Sequence, residues 1–218
     1  MYIPRLFAES DRDTLHDFME AHPLGTIVTA SPVHGLYATP LPLLIDRARG
    51  AFGVLQGHIA RANPHHERAA REEPALVIFS GPNAYVTPTW YPSKQEHGKV
   101  VPTWNYVAVH ATGVLRFIDD HDFLMAHLDR ITDRHEASQP HPWAMHDAPR
   151  DFLEQLARAT VGVEIEITAL EGKYKLSQNR SAADAHGVMT GLDASSSPHD
   201  RAVADAMRVR AEPDTPAR

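Results

Sequence analysis

The chain has 218 residues, 43% hydrophobic and 22% charged, with no cysteine and a net charge of −7. That length can bury a core without covalent staples, and the missing cysteines exclude disulfides, thiolate nucleophiles, Cys-ligated zinc and iron–sulfur clusters. The acidic balance argues against a general electrostatic grip on nucleic acid or on an anionic membrane. No basic stretch followed by an apolar run opens the chain at Met1-Tyr2-Ile3-Pro4-Arg5, and apolar runs such as Ala75 to Phe79 fall far short of a membrane span. The expectation is a soluble, cytoplasmic protein.

Ser10 to Glu20 reads as a first helix, because Leu15, Phe18 and Met19 recur at helical spacing behind a Ser10 or Asp11 cap. Short β-type segments follow at Thr26–Ala30, Leu36–Ile45, Ala51–Gln56, Ala75–Ser80 and Ala84–Thr87. Asn63-Pro64 opens a short helix running to about Arg71. A long strand covers Asn105 to Ile118, with Gly113 as a candidate bend. Asp119 to Arg134 is helical, with Phe123, Leu124, His127, Leu128 and Ile131 along one face. A Pro-rich loop and a helix over Asp151–Ala159 lead to the clearest strand, Val161 to Leu170. Its Val161, Val163, Ile165 and Ile167 alternate with Gly162, Glu164, Glu166 and Thr168, which predicts one buried and one wet face. Ser181 to Leu192 is helical, and Asp193 onward reads as a flexible tail. The domain expectation is one domain over 1–192 and a tail over 193–218. The fold class is mainly β with helical decoration, an antiparallel barrel rather than a doubly wound sheet.

Several site motifs are absent. There is no G-x-G, so no dinucleotide fingerprint, and Gly98-Lys99 lacks the glycine and hydroxyl of a phosphate loop. The five histidines from His121 to His146 have irregular spacing and read as a solvated face and loop, so no metal site is expected.

Three segments carry binding chemistry. In the first, Gly57-His58-Ile59-Ala60-Arg61-Ala62-Asn63-Pro64 joins a strand end to a helix start. Backbone N–H groups and the helix dipole favour a phosphate there, with Arg61 and His58 adding donors. The same residues also suit an ordinary turn with Asn63 as its cap. In the second, Tyr85 to Lys94 and Val101 to Tyr106 are aromatic and stiffened by proline. They offer a platform for a planar ligand addressed by Ser93, Lys94 and Asn105, or a loop packed on its own barrel. In the third, Lys173 to Ser181 gathers donors that could close over an anion or form a polar turn. The chain has 17 Arg and only 4 Lys: Lys94 and Lys99 lie in the loop that runs from Tyr85 through Tyr106, and Lys173 and Lys175 lie in the third segment.

These segments resemble the PaiB-type FMN-binding negative transcriptional regulators. The stretches that carry the resemblance are Met1-Tyr2-Ile3-Pro4 with Phe7, His22-Pro23-Leu24-Gly25, Gly57 to His65, Trp90-Tyr91-Pro92-Ser93-Lys94, Val101 to Tyr106 and Lys175-Leu176-Ser177-Gln178-Asn179-Arg180. The resemblance implies an FMN-binding split β-barrel and a homodimer. It places the FMN phosphate at His58, Ile59, Ala60 and Arg61, and the flavin ring beside Thr39 and Pro40. Lys94, Asn105 and Gln178 are weaker carry-overs. Two functions follow. One is a flavin-binding repressor, acting indirectly because no basic recognition helix is visible. The other is an FMN-dependent oxidoreductase or a haem-handling relative. No acid–base constellation names a catalytic residue.

Overall fold

The computed structural model describes residues 1–69 and 72–211. A 3-10 turn (Arg5–Phe7) precedes β1 (Ala8–Glu9) and α1 (Arg12–Ala21). Asp11 caps α1, accepting from the Thr14 N–H at 2.8 Å and from the Thr14 hydroxyl at 2.7 Å. Next come β2 (Leu24–Ser31), β3 (Gly35–Pro42), β4 (Leu44–Asp46), β5 (Val54–Ala60) and the single-turn α2 (His65–Arg68). The helix end expected at Arg71 lies outside the described residues. β6 (Glu73–Val86) is one strand where two were expected. α3 (Ser93–His97), β7 (Thr103–Ile118) and α4 (His121–Glu136) follow, then α5 (Arg150–Arg158), β8 (Thr160–Lys175), α6 (Ala182–Asp193) and α7 (Pro198–Ala211). Hydrogen bonding orders the strands β3-β2-β6-β7-β8-β5-β4, and β1 pairs with β8.

The chain forms two compact units. One comprises Met1–Leu15, Ser80–Val109 and Glu171–Arg218; the other comprises His16–Phe79 and His110–Leu170. In the second unit, β2 and β3 form an antiparallel hairpin from Leu24↔Pro42 to Ser31↔Gly35. β5 and β8 pair from Val54↔Glu166 to Ala60↔Thr160. Ile27, Val77, Phe79, Val163 and Ile165 fill its core, each such burial contributing about 1.5–3 kcal/mol.

Two expectations fail in this unit. The polar face of β8 is not wet at its start: Phe123 covers Gly162, and Glu164 is 9% exposed. Glu164 tolerates burial because Arg49 and Gln56 donate to its carboxylate. The histidines of α4 are not uniformly solvated either, since His127 is 0% exposed. His127 lies on the apolar stripe of α4 with Leu124 and Ile131, and its ring serves there as a packing group.

In the first unit, α6 and α7 pack together and bury Val188, Leu192, Val203, Ala204 and Met207. Residues 198–211, expected as part of a flexible tail, are therefore helical. Pro198 opens the helix, and the Val203/Ala204/Met207 stripe at helical spacing drives it onto α6. Residues 212–218 of the expected tail lie outside the described residues.

Candidate functional site

Around the β5–α2 turn of the second unit the polar side chains converge on His65, which is 1% exposed. Its Nδ1 lies 2.8 Å from the Thr39 hydroxyl and its Nε2 lies 2.9 Å from the Thr29 hydroxyl. One imidazole nitrogen donates and the other accepts, so the two threonines satisfy a neutral ring. Burial pushes the His65 pKa below its ordinary value, which favours that neutral form. Asn63 accepts from the His65 N–H at 3.0 Å, but the N-cap position of α2 is held by Pro64, one residue later than expected. α2 is four residues long, and its first donor, the His65 N–H, goes to Asn63.

The four residues proposed for the phosphate point in different directions. The His58 side chain turns toward α4, where its Nδ1 lies 3.1 Å from His127 Nε2. Burial lowers the pKa of both rings, that of His127 to about 4. Ile59 belongs to the core. The Arg61 N–H donates to the Ala159 carbonyl at 2.8 Å, which sets the odd-numbered residues of β5 in the hydrogen-bonded pairs with β8. His58 and Ala60 therefore direct their N–H groups away from β8. Gly57 permits a close approach, but by the chain itself: a Cβ there would sit 2.9 Å from side-chain atoms of Leu41 and Leu43.

Arg61 does not stand free. Its guanidinium grips Asp119 with both ends, at 3.1 and 2.5 Å, and donates to the carbonyls of Arg158 and Thr160. The Arg61 fork holds the Asp119 carboxyl below the usual carboxylate range. Both side chains are exposed. Of the ring-facing pair, Thr39 is buried against His65, whereas Pro40 is exposed.

Lys94, Asn105 and Gln178 belong to the first unit. Asn105 is fully buried and donates to the Ser177 hydroxyl at 2.9 Å. Gln178 staples its own loop, accepting from the Leu176 N–H at 2.7 Å and donating to the Tyr174 carbonyl at 2.5 Å. Gln178 keeps one amide N–H beyond these bonds. Lys94 is exposed, its ammonium 3.5 Å from the Thr89 hydroxyl. Of the other lysines, Lys173 is buried against Tyr2 and Tyr106, and Lys175 donates to the Thr103 hydroxyl at 2.7 Å. Ser93 donates through its N–H and hydroxyl to Asp184 at 3.1 and 2.8 Å. Burial raises the Asp184 pKa, but those hydrogen bonds outweigh it and the net shift is downward. No group of three or more metal-ligating side chains occurs among the described residues, and none of their helices is long and apolar enough to cross a membrane.

Sequence reasoning missed the Thr29–His65–Thr39 cluster and the partner of Arg61. His65-His66 after Asn63-Pro64 gave no sign of burial. Asp119 follows the last residue of β7, where acidic residues are ordinary cap material.

A family model described as "Putative FMN-binding domain" matches residues 1–169. The chain belongs to that family. The cofactor of the family is FMN. The chain is 30% identical over 207 residues to protease synthase and sporulation protein PAI 2 of Bacillus subtilis, covering 95% of this chain and 96% of the relative. It is 32% identical over 246 residues to an uncharacterized protein of Emericella nidulans, covering 97% and 98%. Among solved structures, the FAD and heme binding protein of Mycobacterium smegmatis aligns with a TM-score of 0.57 at 20% identity, covering 82% of this chain and 78% of that one. That likeness shows the fold, a mainly β split barrel with added helices, as the sequence resemblance implied.

Proposed function

We propose that the chain binds FMN with the phosphate on Arg61 and acts as a flavin-responsive regulator that does not itself read DNA. The observation that carries the phosphate assignment is the Arg61 fork. It sits at the surface with an anion, the Asp119 carboxylate, already on it. An exposed guanidinium–carboxylate pair is worth about 0–1 kcal/mol, so a phosphate can take the place of Asp119. The N–H of Ala60, directed away from β8, is a second donor on the same turn. These residues fit the phosphate. The exposed ring of Pro40 offers an apolar edge to the flavin, and Lys94 is a separate candidate cation. When bound, FMN supplies hydride and one-electron chemistry, and the protein supplies position and electrostatics.

The regulatory part draws on the likeness to the Bacillus sporulation protein. Its indirect character is supported by α7, whose arginines are spent within the chain: Arg208 on Asp193 and Asp205, Arg210 on Glu9, Arg201 on the Ser195 carbonyl. A helix so neutralised gives little counterion release on DNA. The reading includes a homodimer, which light scattering would show as twice 24.2 kDa.

Titrating FMN and riboflavin against wild type and Arg61→Ala tests the site. FMN should weaken roughly 10- to 150-fold, as for loss of a charge-assisted hydrogen bond, and riboflavin should be unchanged. Equal losses for both flavins refute the phosphate assignment. Nanomolar operator binding at ~0.15 M salt refutes the indirect mode. FMN-dependent NAD(P)H oxidation would instead carry the oxidoreductase reading.

A further inference from the structure

The first unit contains a cavity of about 280 Å³ that the flavin reading does not use. The loop 176–180 forms one wall, with α6 and α7 forming the others. Its floor is apolar: Leu176, Ala182, Ala185, Met189 and Met207. Two guanidinium groups stand at it, Arg180 and Arg210, and no carboxylate lines it.

The two arginines differ. Arg210 is neutralised by Glu9, donates to the Ala8 carbonyl and lies over Tyr174. Arg180 has no ion pair among the described residues; its guanidinium lies over the Tyr91 ring, 4.6 Å from the centroid. Asp184, whose carboxyl feels the Arg180 charge, is taken up by Ser93. The loop that presents Arg180 is stiffly built. Ser177 adopts φ +67, a left-handed conformation costly for a residue with a side chain. Asn105, fully buried, holds its hydroxyl there, and Gln178 ties the loop to itself. A strained conformation locked by a buried amide is a mark of a preorganised site.

We infer that this cavity binds a small organic monocarboxylate, with the carboxylate on Arg180 and the apolar body over Met189 and Met207. The charge count sets the class. The lining offers one uncompensated positive charge beside thioether and methyl groups, which matches one negative charge on an apolar body. A dianionic phosphate would leave a charge unpaired against that floor. Methionine side chains adapt to apolar bodies of varied shape, so selection falls on the anion rather than on the body. The inference stands whether or not FMN binds at Arg61.

Methionine methyl NMR on the full chain tests this with benzoate as the probe. Benzoate should shift the Met189 and Met207 methyl signals and leave Met125 and Met145 in place. Benzyl alcohol, with the same ring and no charge, should bind at least about tenfold more weakly, and Arg180→Gln should weaken benzoate by a similar factor. Ala185→Leu should fill the cavity and abolish the shifts at unchanged melting temperature. If Arg180→Gln fails to fold, Arg180→Lys and Ala185→Leu decide: retained benzoate binding in Ala185→Leu overturns the proposal. Equal binding of benzoate and benzyl alcohol, or tighter binding of inorganic phosphate, also overturns it. Displacement of benzoate by FMN at saturation would assign the cavity to the flavin instead. Benzoate binding that survives FMN, with FMN unaffected by Arg61→Ala, would sink the phosphate assignment alone.

Discussion

Arg49 places both ends of its guanidinium on Glu164, at 2.7 and 3.0 Å, while Gln56 donates to the same carboxylate at 3.0 Å. Arg49 is half-exposed and Glu164 nearly buried. Removing the arginine therefore strands an anion, which costs more than the pair itself contributes. Arg49→Ala should lower stability by about 1–3 kcal/mol at pH 7. Arg49 first, and then Gln56, hold the Glu164 pKa below its ordinary value of 4.5. A lowered carboxylate pKa gives stability that is present above 4.5 and lost as the pH falls through the lowered value. The gap between wild type and Arg49→Ala in urea midpoint should accordingly close on acidification. A gap that does not narrow on acidification would show that packing, not charge, carries the effect.

His127 gives a pH dependence in a different window. Burial, helped by His58 and Arg130, lowers its pKa from 6.5 to about 4. The unfolded chain binds the proton first, so the stability held above pH 6.5 is lost as the pH falls toward 4. At pH 5 the loss amounts to roughly 2 kcal/mol. His127→Leu should flatten the stability profile between pH 7.5 and pH 5 by about that amount, measured by urea unfolding at both values. An unchanged slope would mean that other histidines dominate.

Asp119 occupies the fork that the phosphate needs. Asp119→Asn removes the competing charge but keeps the shape. FMN should then bind more tightly, by several-fold, with riboflavin unaffected. Loss of FMN affinity in Asp119→Asn would show that Asp119 orients Arg61 rather than competing for it.

A chain ending at Ser197 tests α7. A flexible tail could be removed without effect. A helix that buries Val203, Ala204 and Met207 against α6 could not. The truncation should cost at least roughly 3 kcal/mol and lower Tm by roughly 6–12 °C. A wild-type Tm would remove α7 from the packed structure.

The elements with one strong local signal were legible. α1 was found from Leu15, Phe18 and Met19, β8 from its alternating Val and Ile residues, and α6 from its Ser181 cap, whose hydroxyl does accept from the Asp184 N–H. The errors have one physical origin. Glu164 and His65 are polar residues buried against a partner distant in sequence, Arg49 and Thr39. Periodicity reads polar as wet and cannot see that partner. The same blindness affected the site. Arg61 was correctly picked out as a surface cation, but Asp119 lies 58 positions away. Asn105 and Gln178 stand in stretches of family resemblance, and periodicity could not show that Asn105 bonds the Ser177 hydroxyl and Gln178 the Tyr174 carbonyl.

The two prolines near the end of β3 have a consequence for assembly. β3 stands last in the strand order, with β2 as its hydrogen-bonded neighbour there. The Leu43 N–H donates to the Pro23 carbonyl, which sets the odd-numbered residues of β3 toward β2. Pro40 and Pro42 thus fall where an N–H would face outward, so they break no ladder bond. They leave the outer margin of β3 without donors over its last three residues. A foreign strand arriving there finds acceptors only and cannot zip along the edge, so this boundary resists the runaway pairing that turns open sheets into fibrils. Replacing both prolines with threonine would restore a complete row of donors and open the chain to polymerisation.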